Sequence, residues 1–274
     1  VAGMLGALYY DGTPRVAKVK EEPPPLAMTA VPTGIGGLLD GLALRNQRAV
    51  EETQGHIDVR VVTITGEDGR TRRSYIVDLP GTKHWQFNPA AARRYPNDFG
   101  TNLRLMALEP TLRTESIAKA LRLAGAGPDD PVLLMGHSQG GMLAMEAAAE
   151  FSRDGRYNVT DVITAGAPVA GMPVPEHVRV LSLENAHDIV PHLDGRPNPD
   201  EPDRITVTFA RQNNAIGDNH DMARVYAAAG RDLDEVRGPS LDAYRASLQG
   251  RFIFNDRAPG VTVNPHVYDV RRGP

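Results

Sequence analysis

Gly136-His137-Ser138-Gln139-Gly140 sets a serine between two glycines. A serine hydroxyl is a weak nucleophile near neutral pH and needs an adjacent base. The G-x-S-x-G pattern serves that chemistry when it follows a strand and opens a helix, because small residues at its ends permit a tight turn that lifts the hydroxyl above the sheet. The context fits: Val132 to Met135 is a short apolar run, and Met142 to Phe151 is an alanine-rich helical pattern. A glycine-rich turn between strand and helix can instead cradle a phosphate, but this one lacks the lysine or the further glycines of such loops. The chain has no cysteine, which removes thiolate catalysis and cysteine metal sites.

A base and an acid must come from elsewhere in the chain. Asp188 lies just beyond a predicted strand, and His220 lies where a predicted helix opens. Ser138, Asp188, His220 follows the chain order of nucleophile, acid and base used by one of the three unrelated triad-bearing folds. Glu184, Asp194 and Asp203 are alternative acids, and His192 and His266 alternative bases. His137, inside the turn, reads as a structural support whose side chain points away from the nucleophile. His187, Asp188, His192 and Asp194 are also spaced as a potential set of metal ligands, but that reading leaves the serine turn unexplained.

The elements that must position these residues are legible around them. Ile57 to Thr65 and Ser74 to Asp78 read as a strand hairpin around the turn residues Gly66 to Gly69. Helical spacing predicts helices over Gly34 to Val50 and over Thr114 to Ala124, the latter stopped by Gly125. Further strands are expected at Val159 to Thr164, Val178 to Leu183 and Ile205 to Ala210, with helices at about His220 to Ala229 and Ser240 to Leu248. Strands interleaved with helices imply a mostly parallel sheet covered on both faces, a three-layer α/β sandwich. Residues 1–33, with Pro23, Pro24, Pro25 and Pro32, read as an extended arm, and 34–274 as one domain.

Four segments resemble the class 3 lipases of the α/β-hydrolase superfamily. Leu79-Pro80-Gly81-Thr82 is similar to their Arg-Gly-Thr oxyanion segment, with Pro80 in place of the arginine. Gly136 to Gly140 matches their nucleophile turn, and Gly166-Ala167-Pro168 resembles a Gly-Ser/Ala-Pro turn after a strand. His187-Asp188-Ile189-Val190-Pro191 is similar to the segment bearing their catalytic aspartate, with a shorter His-to-Asp spacing, and His220 followed by Tyr226 resembles their catalytic histidine with its nearby tyrosine. The motifs fall within residues 76–226. The resemblance implies an α/β-hydrolase fold and a serine esterase or lipase, working through an acyl-enzyme on Ser138 with no metal or organic cofactor. His220 is then the base, Asp188 holds its tautomer, and the oxyanion donors are the backbone N–H of Gln139 and that of Thr82 or Gly81. The same triad serves an acyltransferase, and a catalytically silent scaffold of this fold is the reading from a different class.

Lys83 to Pro110 gathers Trp85, Phe87, Tyr95, Phe99, Leu103, Leu105 and Met106. It reads equally as a lid or acyl-chain wall, with Trp85 as a substrate contact, and as the ordinary packing of an insertion. The 274 residues are 41% hydrophobic and 23% charged, an ordinary globular balance. A net charge of -4 with no long basic run gives no reason to expect a nucleic-acid partner or an anionic membrane surface. The apolar run Val1 to Tyr10 lacks a basic start and is far shorter than the roughly 18 residues of a membrane span. A leader removed before Val1 would fit, so the compartment stays open, as do acyl length and oligomeric state.

Overall fold

The computed structural model describes residues 5, 9, 11–19, 24–49, 55–82, 96–255 and 258–273. Trp85, Phe87 and Tyr95 lie outside them. An eight-stranded sheet runs in the order β1-β8-β2-β3-β4-β5-β6-β7. Its strands are β1 (Thr13–Val19), β2 (Ile57–Thr65), β3 (Thr71–Leu79), β4 (Pro131–His137), β5 (Asn158–Ala165), β6 (Arg179–Asn185), β7 (Arg204–Phe209) and β8 (Val261–Gly273). β3 to β7 pair in parallel, in sequence order. β1, β8 and β2 extend the sheet antiparallel, joined to the parallel part through the β2–β3 hairpin.

Helices cover both faces. α1 (Ile35–Arg48), α5 (Ala228–Glu235) and α6 (Pro239–Leu248) take one face, and α3 (Leu112–Ala124) and α4 (Gln139–Asp154) the other, with the short α2 (Phe99–Met106) packed against α4. The period of two along the strands separates the cores: Tyr75, Val77, Leu79, Val132 and Leu134 face α3 and α4, whereas Ile76, Leu133 and Met135 face α1. This is the three-layer α/β sandwich with a mostly parallel sheet expected from the sequence.

Two strands depart from the expected outline. Within the stretch read as an extended arm, Thr13–Val19 forms the edge strand β1, its residues exposed or half-buried. β8, which the sequence reading did not foresee, lies between β1 and β2. Pro265 argues against an interior strand because it cannot donate to a ladder. Among the described residues β1 pairs with Val267 to Gly273, and Pro265 lies beyond that stretch, opposite Arg60 of β2.

α1 is held to the sheet by more than its Leu38, Leu39 and Leu42 face. Buried Arg45 donates from Nε to Asp58 Oδ2 at 2.6 Å, and buried Arg60 reaches both oxygens of Asp78 at 2.8 and 2.9 Å and the Leu38 carbonyl at 3.1 Å. A Cβ on Gly41 would stand 2.7 Å from that guanidinium, so the glycine is what lets α1 lie against Arg60.

Candidate active site

The loops leaving the carboxyl ends of parallel strands meet at one edge of the sheet, the usual place for a site in an open α/β fold. β3 delivers Gly81 and Thr82, β4 Ser138, β6 Asp188, and the segment after β7 His220. Gly81, Thr82, His137, Ser138 and His220 line a single cavity of about 190 Å³, with Asn46 and Gln47 from the end of α1 and Asp221, Met222 and Ala223 on the far side.

Ser138 sits between β4 and α4 with φ 55° and ψ -122°, a conformation that a residue with a Cβ rarely adopts. The turn holds because its neighbours are glycines: a Cβ on Gly136 would stand 2.0 Å from the Gly140 carbonyl oxygen, and one on Gly140 2.1 Å from that of Leu79. The Ser138 N–H donates to the Ala165 carbonyl at 2.9 Å, tying the turn to β5. Gln139 opens α4, so its N–H lies at the positive end of a 16-residue helix.

His220 Nδ1 lies 2.5 Å from Asp188 Oδ2. The same oxygen accepts the Tyr226 hydroxyl at 2.6 Å, and Oδ1 accepts the Val190 N–H at 3.0 Å. Asp188 is thus buried with both oxygens engaged, in the way a buried charge requires. Burial and the Asp188 charge push the Tyr226 phenol far above its ordinary range, so it stays a donor. His220 Nε2 is buried and has no hydrogen-bond partner among the described residues.

His220 ends a short 3₁₀ turn, and Met222–Ala227 continues as a single π-helical turn before α5, in place of the α-helix expected from His220 onward. That wider turn carries Tyr226 to Asp188. Asn185, fully buried at the end of β6, ties the loops that bear Asp188 and His220 together: its Nδ2 donates to the Arg211 and Asn219 carbonyls, and its Oδ1 accepts the Arg211 N–H.

His137 does not simply turn away as a passive support. Its ring lies 4.4 Å from that of His220, and its Nε2 is 3.0 Å from the His220 carbonyl. It supports His220.

The two expected sources of a second oxyanion donor are not equivalent. The Gly81 N–H donates to Asn46 Oδ1 at 3.1 Å, which leaves Thr82 as the candidate. Thr82 Oγ1 meets the Asn102 side chain, whose Oδ1 in turn accepts Gln139 Nε2 at 3.0 Å; Gln139 Nε2 also reaches the Asp98 carbonyl at 2.8 Å. A buried amide network therefore joins the two segments that bear the candidate donors.

Three of the alternative residues are engaged elsewhere. Asp194 accepts the Ala170 N–H, Glu184 accepts Asn198, and His266 lies on β8 opposite Val59. Among the described residues no three His, Asp or Glu side chains gather as a metal ion would require, so His187, Asp188, His192 and Asp194 do not form the alternative ligand set. No helix of the described residues is long and apolar enough to cross a membrane. Asn46, Asn102 and Asn185 escaped the sequence reading: a side-chain amide that pairs with a distant segment has no motif and no period.

No protein-family model matches the chain, and no curated protein does. Among solved structures it is similar to the thermostable carboxylesterase EstE1 from a metagenomic library, at 15% identity over 77% of this chain and 95% of that one, with a TM-score of 0.34. It is similar to the triacylglyceride lipase of Rhizomucor miehei at 14% identity over 65% of this chain and 77% of that one, with a TM-score of 0.29. A third is the hyperthermophilic esterase of the archaeon Pyrobaculum calidifontis, at 12% identity over 77% and 88%, with a TM-score of 0.30.

Proposed function

We propose that this chain is a serine hydrolase that cleaves carboxylic esters through an acyl-enzyme formed on Ser138. The observation that carries the reading is the coincidence, on one cavity, of a serine held at φ 55° and a histidine bonded to a buried aspartate at 2.5 Å. A phosphate-binding turn would have no use for that couple.

In the proposed reaction Ser138 Oγ attacks the ester carbonyl while His220 Nε2 takes the hydroxyl proton. Asp188 holds the histidine tautomer and balances the imidazolium, and Tyr226 and the Val190 N–H keep the carboxylate in place. The carbonyl oxygen becomes an oxyanion, received by the N–H groups of Gln139 and Thr82; loss of one such donor costs about 2.7 to 4 kcal/mol of barrier. The tetrahedral adduct collapses, the C–O bond to the alcohol breaks, and His220 returns the proton to the departing oxygen. Water, activated by the same histidine, then attacks the acyl-enzyme and releases the acid.

The test is hydrolysis of p-nitrophenyl esters of increasing acyl length by wild type and Ser138→Ala, with stoichiometric labelling by diethyl p-nitrophenyl phosphate. Wild type is expected to turn over and to be labelled once per chain, and Ser138→Ala to lose roughly six orders of magnitude in kcat and all labelling. Wild-type protein that neither hydrolyses nor labels would overturn the reading. Competing acceptor alcohols, read as product ratios, distinguish hydrolysis from acyl transfer.

A further inference from the structure

We propose that Asn46 is a positioning residue of the oxyanion hole, which takes up the Gly81 N–H, fixes the Pro80–Gly81 peptide and so leaves the Thr82 N–H as the donor that meets the oxyanion; the inference rests on the serine-hydrolase reading above. Gly81 lies against the nucleophile, since a Cβ placed on it would stand 3.1 Å from both Ser138 Cβ and His137 Nδ1. A glycine in a loop has broad conformational freedom, and two N–H groups, those of Gly81 and Thr82, compete for the role of donor. Asn46 Oδ1 accepts the first at 3.1 Å and removes it from the competition. The Gly81 carbonyl accepts from Asn97 Nδ2 at 3.4 Å. In a trans peptide the carbonyl and the following N–H point in opposite directions, so holding the Gly81 carbonyl on one side directs the Thr82 N–H to the other.

The anchor stands on a rigid element. Asn46 belongs to the last turn of α1, one residue beyond Arg45, whose buried pair with Asp58 fastens that end of the helix to β2. Asn46 also lines the cavity that holds Ser138 and His220, so the same side chain borders the substrate space and holds the loop. The orientation of its amide follows from the bond: only the oxygen can accept an N–H, so Oδ1 faces Gly81 and the NH₂ group faces away. A donor that must meet the oxyanion rather than the ground-state carbonyl has to be placed before the reaction, and a misplacement of about 1 Å costs roughly 100-fold in rate.

Asn46→Ala and Asn46→Ser, whose side chains are too short to reach Gly81, test this on the full chain. Active sites are titrated with diethyl p-nitrophenyl phosphate, so that a misfolded fraction does not enter kcat. Both variants are expected to lose about 10- to 100-fold in kcat on p-nitrophenyl butyrate, with KM within about twofold. A trifluoromethyl ketone, whose serine adduct carries the oxyanion, should bind more weakly by the same factor as kcat/KM falls, while the uncharged methyl ketone binds as before. A merely structural role would weaken both ketones alike or change only the titratable fraction. Unchanged kcat and unchanged trifluoromethyl ketone affinity in both variants would overturn the proposal while leaving the triad intact. Absence of labelling in the wild type would instead overturn the serine reading itself.

Discussion

Tyr226 reaches Asp188 through space that a single hydrogen atom keeps open. Gly166 has φ 61°, and a Cβ there would stand 2.7 Å from the Tyr226 hydroxyl oxygen. Gly166→Ala therefore meets two obstacles, backbone strain and a clash with the group that holds the acid. Tyr226→Phe removes the donor alone and leaves a buried carboxylate short of one hydrogen bond, a change worth about 1.5 to 3 kcal/mol for a bond to a charged group. Both variants are expected to lose roughly tenfold in kcat or more, with Gly166→Ala the less stable, as measured by active-site-titrated kinetics and urea unfolding. Wild-type kcat in Tyr226→Phe would show that His220 and the Val190 N–H suffice to orient Asp188. Sequence reading reached Ser138 because glycines and a strand-turn-helix context mark it, and it reached Asp188 and His220 from their places beside predicted elements. It left Gly81 and Thr82 undecided, because the choice turns on Asn46, a residue 35 positions away from Gly81 whose type alone says nothing.

α4 carries Gln139 at its first position and, about two turns later, Glu146, a carboxyl kept largely from water beneath Thr111 and Thr114. Burial, with the neighbouring charge of Glu150 adding to it, pushes the Glu146 carboxyl up to about 7 against the two hydroxyl donors that favour its ionised form. The folded state therefore holds this proton more tightly than the unfolded chain. Stability that is fully present below about pH 4.5 is lost as the pH rises towards 7, by an amount on the order of 3 kcal/mol. Glu146→Gln, uncharged at every pH, is expected to be more stable than wild type at pH 8 and indistinguishable from it at pH 4, as read by urea unfolding at both. An equal gap at the two pH values would mean that the charge of Glu146 is not its cause. Helix α4 itself was plain in the sequence, as were α1 and α3, because each shows an apolar stripe at helical spacing ended by a glycine or a change of pattern. The π turn at Met222–Ala227 was not, since the same residues satisfy an α-helical pattern and only the reach of Tyr226 to Asp188 distinguishes the two.

Across the whole molecule, the last strand supports the first site residues. Arg272 on β8, almost completely buried, pairs through Nη1 with Asp98 Oδ2 at 2.7 Å and reaches Thr101 Oγ1 at 3.3 Å. Asp98 caps α2 by accepting the Thr101 N–H at 2.9 Å, and its carbonyl accepts Gln139 Nε2. A chain of contacts thus runs from the carboxyl-terminal strand through α2 to the residue whose N–H would receive the oxyanion. Breaking a buried pair by removing one partner costs about 3 to 5 kcal/mol, because the other charge stays behind without compensation, whereas removing both charges costs much less. Arg272→Met is accordingly expected to destabilise the chain by that amount, and Asp98→Asn combined with Arg272→Met by clearly less than the sum of the single changes, in a double-mutant cycle read by urea unfolding. If the contacts transmit order and not only stability, the double variant, folded but without the charged tie, will keep its KM and lose kcat. Additive single effects with unchanged kcat would reduce Arg272 to one more buried residue of the sheet and leave the site dependent on the parallel strands alone.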